Sequence, residues 1–296
     1  WAEWNGKYRD DMRRFLKGDS NLAWAAAHRL TGSKDLYNPV HRGQNASVNF
    51  LTCHDGFTLY DLYSYNEKHN FKNGWNNTDG ANDNNSWNCG FEGETTDGNI
   101  NALRIKMIKN AFATLMCSRG AALFLAGDEF CNTQFGNNNP YCQDNIISWL
   151  DWSRKEKYKD VFEFFKYMIA FRKRFHVITR NRQEATCSFP SESIHSEIPW
   201  NTDFNVNTRM IAVMYAGASD KNPSLDEIVY FGVNAYWGTV NVELPALPTG
   251  YAWKLYIDTG RNSNEVITEH LNIFLHDRHY AMQGRSVIAA VAEKIY

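Results

Sequence analysis

Val48-Asn49-Phe50-Leu51-Thr52-Cys53-His54-Asp55-Gly56-Phe57 decides how this chain is read. An apolar strand over Ser47 to Cys53 runs directly into a His-Asp-Gly turn. A buried strand that ends this way delivers an imidazole and a carboxylate to its C-terminal end, where a ligand can meet them. In a parallel α/β barrel, functional groups gather at those strand ends. A second run, Ala121 to Ala126, is continuously apolar, as expected of a parallel strand covered on both faces. It ends in Gly127-Asp128-Glu129. The alternative is local: His-Asp-Gly caps the next helix, with Asp55 at its dipole-favoured start, and the acidic pair braces loops.

Outward from these strands the helical period is clear. Tyr8, Met12, Phe15 and Leu16 fall on one face, and Gly18 follows as a stop. Ser20 is placed to cap a second helix that ends near Gly32. Phe57 to His69 reads as helical. Ile100 to Ser118 is a strong amphipathic helix, and so is the segment from about Asp160 to Phe175. Residues 70 to 99 form a long polar insertion, and a loop of that length seldom lacks a function. After about residue 185 the texture changes. Arg209 to Tyr215, Glu227 to Val233, Thr239 to Leu244, Ala252 to Ile257 and Arg285 to Val291 read as strands. Pro223, Pro245, Pro248, Gly250 and Gly260 punctuate them, as in a small antiparallel sandwich. The fold class is therefore α/β followed by all-β, with residues 1–180 and 181–296 as the two parts.

Composition narrows the chemistry. The chain has 296 residues, 43% of them apolar, and a net charge of −2. A sizeable core can form. With no basic run, attraction to nucleic acid or to an anionic membrane is not indicated. No apolar stretch approaches the roughly 20 residues that a membrane helix needs. The six cysteines form no C-x-x-C pair, so zinc spacing is absent and a reduced, cytoplasmic protein is expected. No cofactor is expected. Trp1 as first residue, without an initiator Met or a signal-type segment, reads as a cut within a longer chain.

Asn76 to Asn85 could suggest a calcium loop, but Gly80 falls too early and no Glu closes it, so a hydrogen-bonded turn cluster fits better. Asn137 to Tyr141 and Gln143 to Asn145 read the same way. Asn beside exposed aromatic rings also suits sugars, which need neutral donors and acceptors plus flat apolar faces.

Four segments carry a resemblance. They are Trp1-Ala2-Glu3-Trp4-Asn5-Gly6-Lys7-Tyr8-Arg9-Asp10, Val48 to Leu59, Leu125-Ala126-Gly127-Asp128-Glu129, and Gly136 to Asn145. Together they resemble the isoamylase-type glycogen and starch debranching enzymes of glycoside hydrolase family 13, the α-amylase clan. The resemblance covers nearly the whole chain and implies the last strands and helices of a (β/α)₈ barrel followed by a C-terminal antiparallel β-sandwich. It implies that Asp55 is the third catalytic carboxylate, gripping hydroxyls of the sugar being cleaved. His54 would bond the same sugar. Trp4, Asp128, Glu129, Tyr141 and Asp144 would lie on the substrate-facing side.

The expected substrate is a branched α-glucan, cut at α-1,6 linkages with retention. An α-1,4 amylase, a glucanotransferase and a non-catalytic glucan-binding subunit are the alternatives. The clan's nucleophile and acid/base belong upstream of Trp1. A barrel takes about 250 residues, and only its last third fits before residue 180. The missing N-terminal part of the chain is thus an expected partner, and this portion alone is expected to be inactive.

Overall fold

Asn5 starts the first helix: its side chain accepts a hydrogen bond from the Tyr8 N–H at 2.9 Å and donates to the Ser33 and Ser47 hydroxyls. The computed structural model describes residues 1–38, 40–43, 46–179, 185, 187–219 and 226–295. The division at residues 180 and 181 and the turn expected at Pro223 lie outside the described residues.

Three short strands, β1 (Glu3–Trp4), β2 (Ser47–Phe50) and β3 (Ala121–Leu123), form a parallel sheet in that order. Trp4 faces Val48, and Val48 faces Ala121. Helices α1 (Gly6–Lys17), α2 (Ala23–Leu30), α3 (Leu59–Leu62), α4 (Gly98–Met116), α5 (Arg154–Lys157) and α6 (Lys159–Arg174) accompany them. α1 buries Tyr8, Met12, Phe15 and Leu16, as their spacing predicts, and Gly18 ends it in a left-handed conformation at φ 97°. Asp97 caps α4 by accepting from the Asn99 and Ile100 N–H groups. Phe112 of α4 stacks on Phe165 of α6 with centroids 3.5 Å apart.

Three local expectations are corrected. Leu22, not Ser20, is the N-cap of α2, and no side chain caps it. The helix expected from Phe57 to His69 shrinks to the single turn of α3. There the buried Asp61 carboxylate is drawn into bonds with Thr133 and Gln134, and these long-range partners override local propensity. The strand expected from Ala121 to Ala126 stops at Leu123. Ala121 is exposed, and Gly127 at φ 101° turns the chain into a 3₁₀ turn over Asp128–Phe130.

The β-rich part follows the sequence closely. β4 (Glu192–His195), β5 (Met210–Ala218), β6 (Asp226–Asn234), β8 (Tyr251–Asp258), β9 (Phe274–Leu275) and β11 (Ser286–Lys294) make one antiparallel sheet in the order β4-β5-β6-β11-β8-β9. β7 (Val240–Glu243) and β10 (His279–Met282) pair separately. Among the described residues the second layer of the expected sandwich is thus a two-stranded ribbon. The large sheet is nonetheless buried on both faces. Ile211, Val213, Tyr215, Phe231 and Val287 point into the same core as Phe15, Leu30, Phe112 and Phe171. Their neighbours Met210, Ala212, Met214, Tyr230 and Ile288 pack with Trp253, Val242, Leu244 and Met282 in a second core. Period-2 alternation explains this: successive side chains leave opposite faces, and here both faces are apolar. The Tyr215 hydroxyl donates to the Leu30 carbonyl at 2.9 Å, and Asn110 Nδ2 to the Arg285 carbonyl at 2.9 Å, tying the two parts together.

Candidate active site

Because β1, β2 and β3 run parallel, their C-terminal ends open on one edge of the sheet. Past β2 the chain stays buried through Leu51, Thr52 and Cys53 and then emerges. The side chains of His54 and Asp55 are 70% and 77% exposed, and His54 Nε2 lies 3.3 Å from Asp55 Oδ2. Trp4, at the end of β1, sets its ring edge-on to His54 with centroids 5.6 Å apart. The structure therefore brings together an indole, an imidazole and a carboxylate at the strand ends.

The turn that carries them is fastened from behind. Gly56 sits at φ 93°, a region other residues rarely adopt. Its N–H donates to the Asn138 carbonyl at 3.0 Å, and its carbonyl accepts from Gln134 Nε2 at 3.2 Å. Asn138 is the hub of an amide lattice. It exchanges two bonds with Asn70, at 2.8 and 2.9 Å, and donates to Asn84 Oδ1 at 3.0 Å. Asn73 donates to the Asn139 carbonyl and to Asp79, and Asn139 also donates to Asp79. Those amide bonds hold the Asp79 carboxyl below the usual carboxylate range. The long insertion is thus the hydrogen-bonded turn cluster. Among the described residues no group of three or more His, Cys, Asp or Glu side chains could hold a metal ion. All six cysteines are free.

The remaining candidates are dispersed. Tyr141 is 76% exposed on a 3₁₀ turn over Pro140–Cys142. Asp144 is exposed and accepts from Trp149 Nε1 at 3.0 Å. Glu129 is half-buried and accepts from the Gly127 N–H at 2.8 Å. Asp128 departs from expectation. It is 1% exposed, and its carboxylate accepts from the Thr52 hydroxyl, the Leu59 N–H and the Leu125 N–H. Burial pushes its carboxyl up to about 7 against those bonds. Asp128 braces the segments that flank the exposed pair and has no face left for a ligand. Gln134 and Asp61 carry no sequence signal, since nothing local marks a polar side chain whose partner is tens of residues away, and Asn138 is legible only as part of a turn cluster.

Parallel strands continued by an antiparallel β part define a fold that solved structures share. The chain superposes on the type I pullulanase of Bacillus subtilis with a TM-score of 0.67 at 18% identity, over 98% of this chain and 35% of that chain. The Bacillus acidopullulyticus pullulanase gives a TM-score of 0.66 at 20% identity, over 98% and 30%. Sequence relatives narrow the class. The glycogen operon protein GlgX homolog of Mycobacterium tuberculosis is 48% identical over 207 residues, 68% of this chain and 28% of its own. The rice chloroplastic isoamylase 3 is 41% identical over 271 residues, 91% of this chain and 33% of its own. No protein-family model matches the chain. The chain belongs to the isoamylase-type family of the α-amylase clan. It spans about a third of the length of the curated relatives it matches.

Proposed function

We propose that this chain is the part of a glycogen- or starch-debranching hydrolase that closes a (β/α)₈ barrel and adds the C-terminal β domain, with the division near residues 180 and 181. In this reading β1, β2 and β3 are the last barrel strands. The nucleophile and the acid/base come from the two thirds of the relatives' length that this chain does not span. The substrate is a branched α-glucan, cut at α-1,6 linkages through a glycosyl-enzyme with retention. The protein acts in the cytoplasm, although related isoamylases are named chloroplastic. No described helix is long and apolar enough to cross a membrane.

The observation that carries the reading is the exposed Asp55 carboxylate beside His54 and Trp4 at the strand ends. Cleavage of a glycoside passes through an oxocarbenium-like transition state. A carboxylate that accepts hydrogen bonds from sugar hydroxyls gains strength when the sugar displaces water from it. Trp4 offers a flat apolar face, and His54 a donor or acceptor, to the same ring. Tyr141, Asp144 and Glu129 remain candidate contacts on the neighbouring loops.

The test is Asp55→Asn in the full-length enzyme, with release of linear chains from glycogen as readout. Turnover should fall by about 10³-fold, the scale of losing a group that stabilises transition-state charge. The unfolding midpoint should not move, because the side chain is 77% exposed. Near-normal turnover would remove Asp55 from the mechanism.

A further inference from the structure

An exposed carboxylate on a turn has little to hold it. Apart from His54, the bonds near Asp55 among the described residues are to backbone: the Cys53 thiol donates to the Asp55 carbonyl at 3.3 Å, and the Gly56 N–H and carbonyl are both taken by one neighbouring loop. That loop is rigid. Asp61, fully buried, accepts from the Thr133 hydroxyl at 2.5 Å, from the Gln134 N–H at 2.8 Å and from the Gly136 N–H at 3.4 Å. Gln134 is 7% exposed, and its Nε2 donates to two carbonyls, Asn137 at 2.7 Å and Gly56 at 3.2 Å. Two carbonyl oxygens converging on one nitrogen require a group with two N–H bonds and no negative charge. An amide meets that requirement and a carboxylate does not.

We infer that Gln134 is a positioning residue: by clamping the Gly56 carbonyl to the turn anchored on Asp61, it sets where the Asp55 carboxylate stands. The inference rests on the proposed role of Asp55. The clamp matters because misplacing a reacting constellation by about 1 Å costs up to roughly 10²-fold in rate. Gln134 touches no substrate; its effect reaches the sugar only through the Gly56 peptide and Asp55.

The experiment uses the full-length enzyme with Gln134→Leu and Gln134→Glu, each alone and combined with Asp55→Asn. Gln134→Leu should lower kcat about tenfold and leave KM within about twofold, because ground-state binding does not depend on one acceptor's placement. In the Asp55→Asn background the same change should cost less than about twofold, since the group it positions is already lost. Gln134→Glu places a carboxylate against two carbonyl oxygens. Its activity relative to wild type should rise as pH falls, because a protonated Glu can donate one of the two bonds. A folding defect would recover equally with and without Asp55, whereas the positioning role predicts that the recovery vanishes in the Asp55→Asn background, so this pair of variants decides the matter if Gln134→Leu does not fold. An unchanged kcat in Gln134→Leu overturns the inference. A tenfold loss that persists undiminished with Asp55→Asn also overturns it, leaving the role of Asp55 intact. Wild-type turnover in Asp55→Asn alone overturns the reading of Asp55 and this inference with it.

Discussion

Replacing Asp128 with Ala separates a brace from a ligand contact. The substitution strands both the Leu59 N–H, which sits 2.8 Å from the carboxylate, and the Leu125 N–H, at 3.3 Å. A buried donor left unsatisfied costs about 1–3 kcal/mol, so the loss should be about 2–4 kcal/mol when the carboxyl is protonated.

Ionisation opposes this. Burial raises the Asp128 carboxyl to about 7 from 3.8. A group whose folded value is raised contributes stability that is full below its unfolded value and is lost as pH rises through the folded one. The window therefore runs from about pH 4 to about pH 7. Between pH 5 and pH 8 the wild type should lose roughly 2–3 kcal/mol that the variant, having no carboxyl, never had. Urea unfolding at those two pH values should show a gap between the proteins that narrows as pH rises. Asp61, also raised by burial, is common to both and cancels. A gap that is constant or widens with pH would refute the account. So would a normally stable Asp128→Ala whose defect is confined to KM, since that pattern belongs to a residue that touches substrate.

Two further outcomes follow from burial elsewhere. Trp253 is fully buried and donates from Nε1 to the Pro245 carbonyl at 2.8 Å; Trp253→Ala should cost about 3–5 kcal/mol in urea unfolding. His195 is fully buried, accepts from the Trp200 N–H at 2.8 Å through Nδ1, and burial pushes it down to about 4. A depressed folded value gives stability that is present above the unfolded value of 6.5 and lost as pH falls towards 4, so NMR should find this ring neutral at pH 5.5.

How much of this was legible depended on the range of the forces involved. α1 and α6 could be read because Tyr8, Met12 and Phe15, or Val161, Phe164, Phe165 and Met168, repeat at helical spacing; α4 was legible as a helix, but not as amphipathic, since Met107 to Met116 are buried all round. β5, β6, β8 and β11 could be read because short apolar-rich runs lie between turn residues. The His54-Asp55 pair was legible as the end of an apolar strand. Its exposure was legible too, as side chains pushed out of a strand end; the burial of Asp128 was not, because both acids follow similar strands and differ only in what packs over them. The partner of each asparagine was equally hidden. Asn70 and Asn138 are 68 residues apart, and no local pattern selects one amide over its neighbours. The failed helix at 57–69 has the same origin, since Asp61 is satisfied by residues more than seventy positions away.

Having both sides of β5, β6 and β11 sheltered restricts what evolution can do with this polypeptide. A strand layer with one wet side can be lent to another enzyme by recombination. Here a transplanted copy would arrive with Val213, Phe231 and Val287 bare to solvent, because α1, α4 and α6 would have stayed behind. Descendants that kept the layer would have to inherit those helices with it or recolour that side with polar residues.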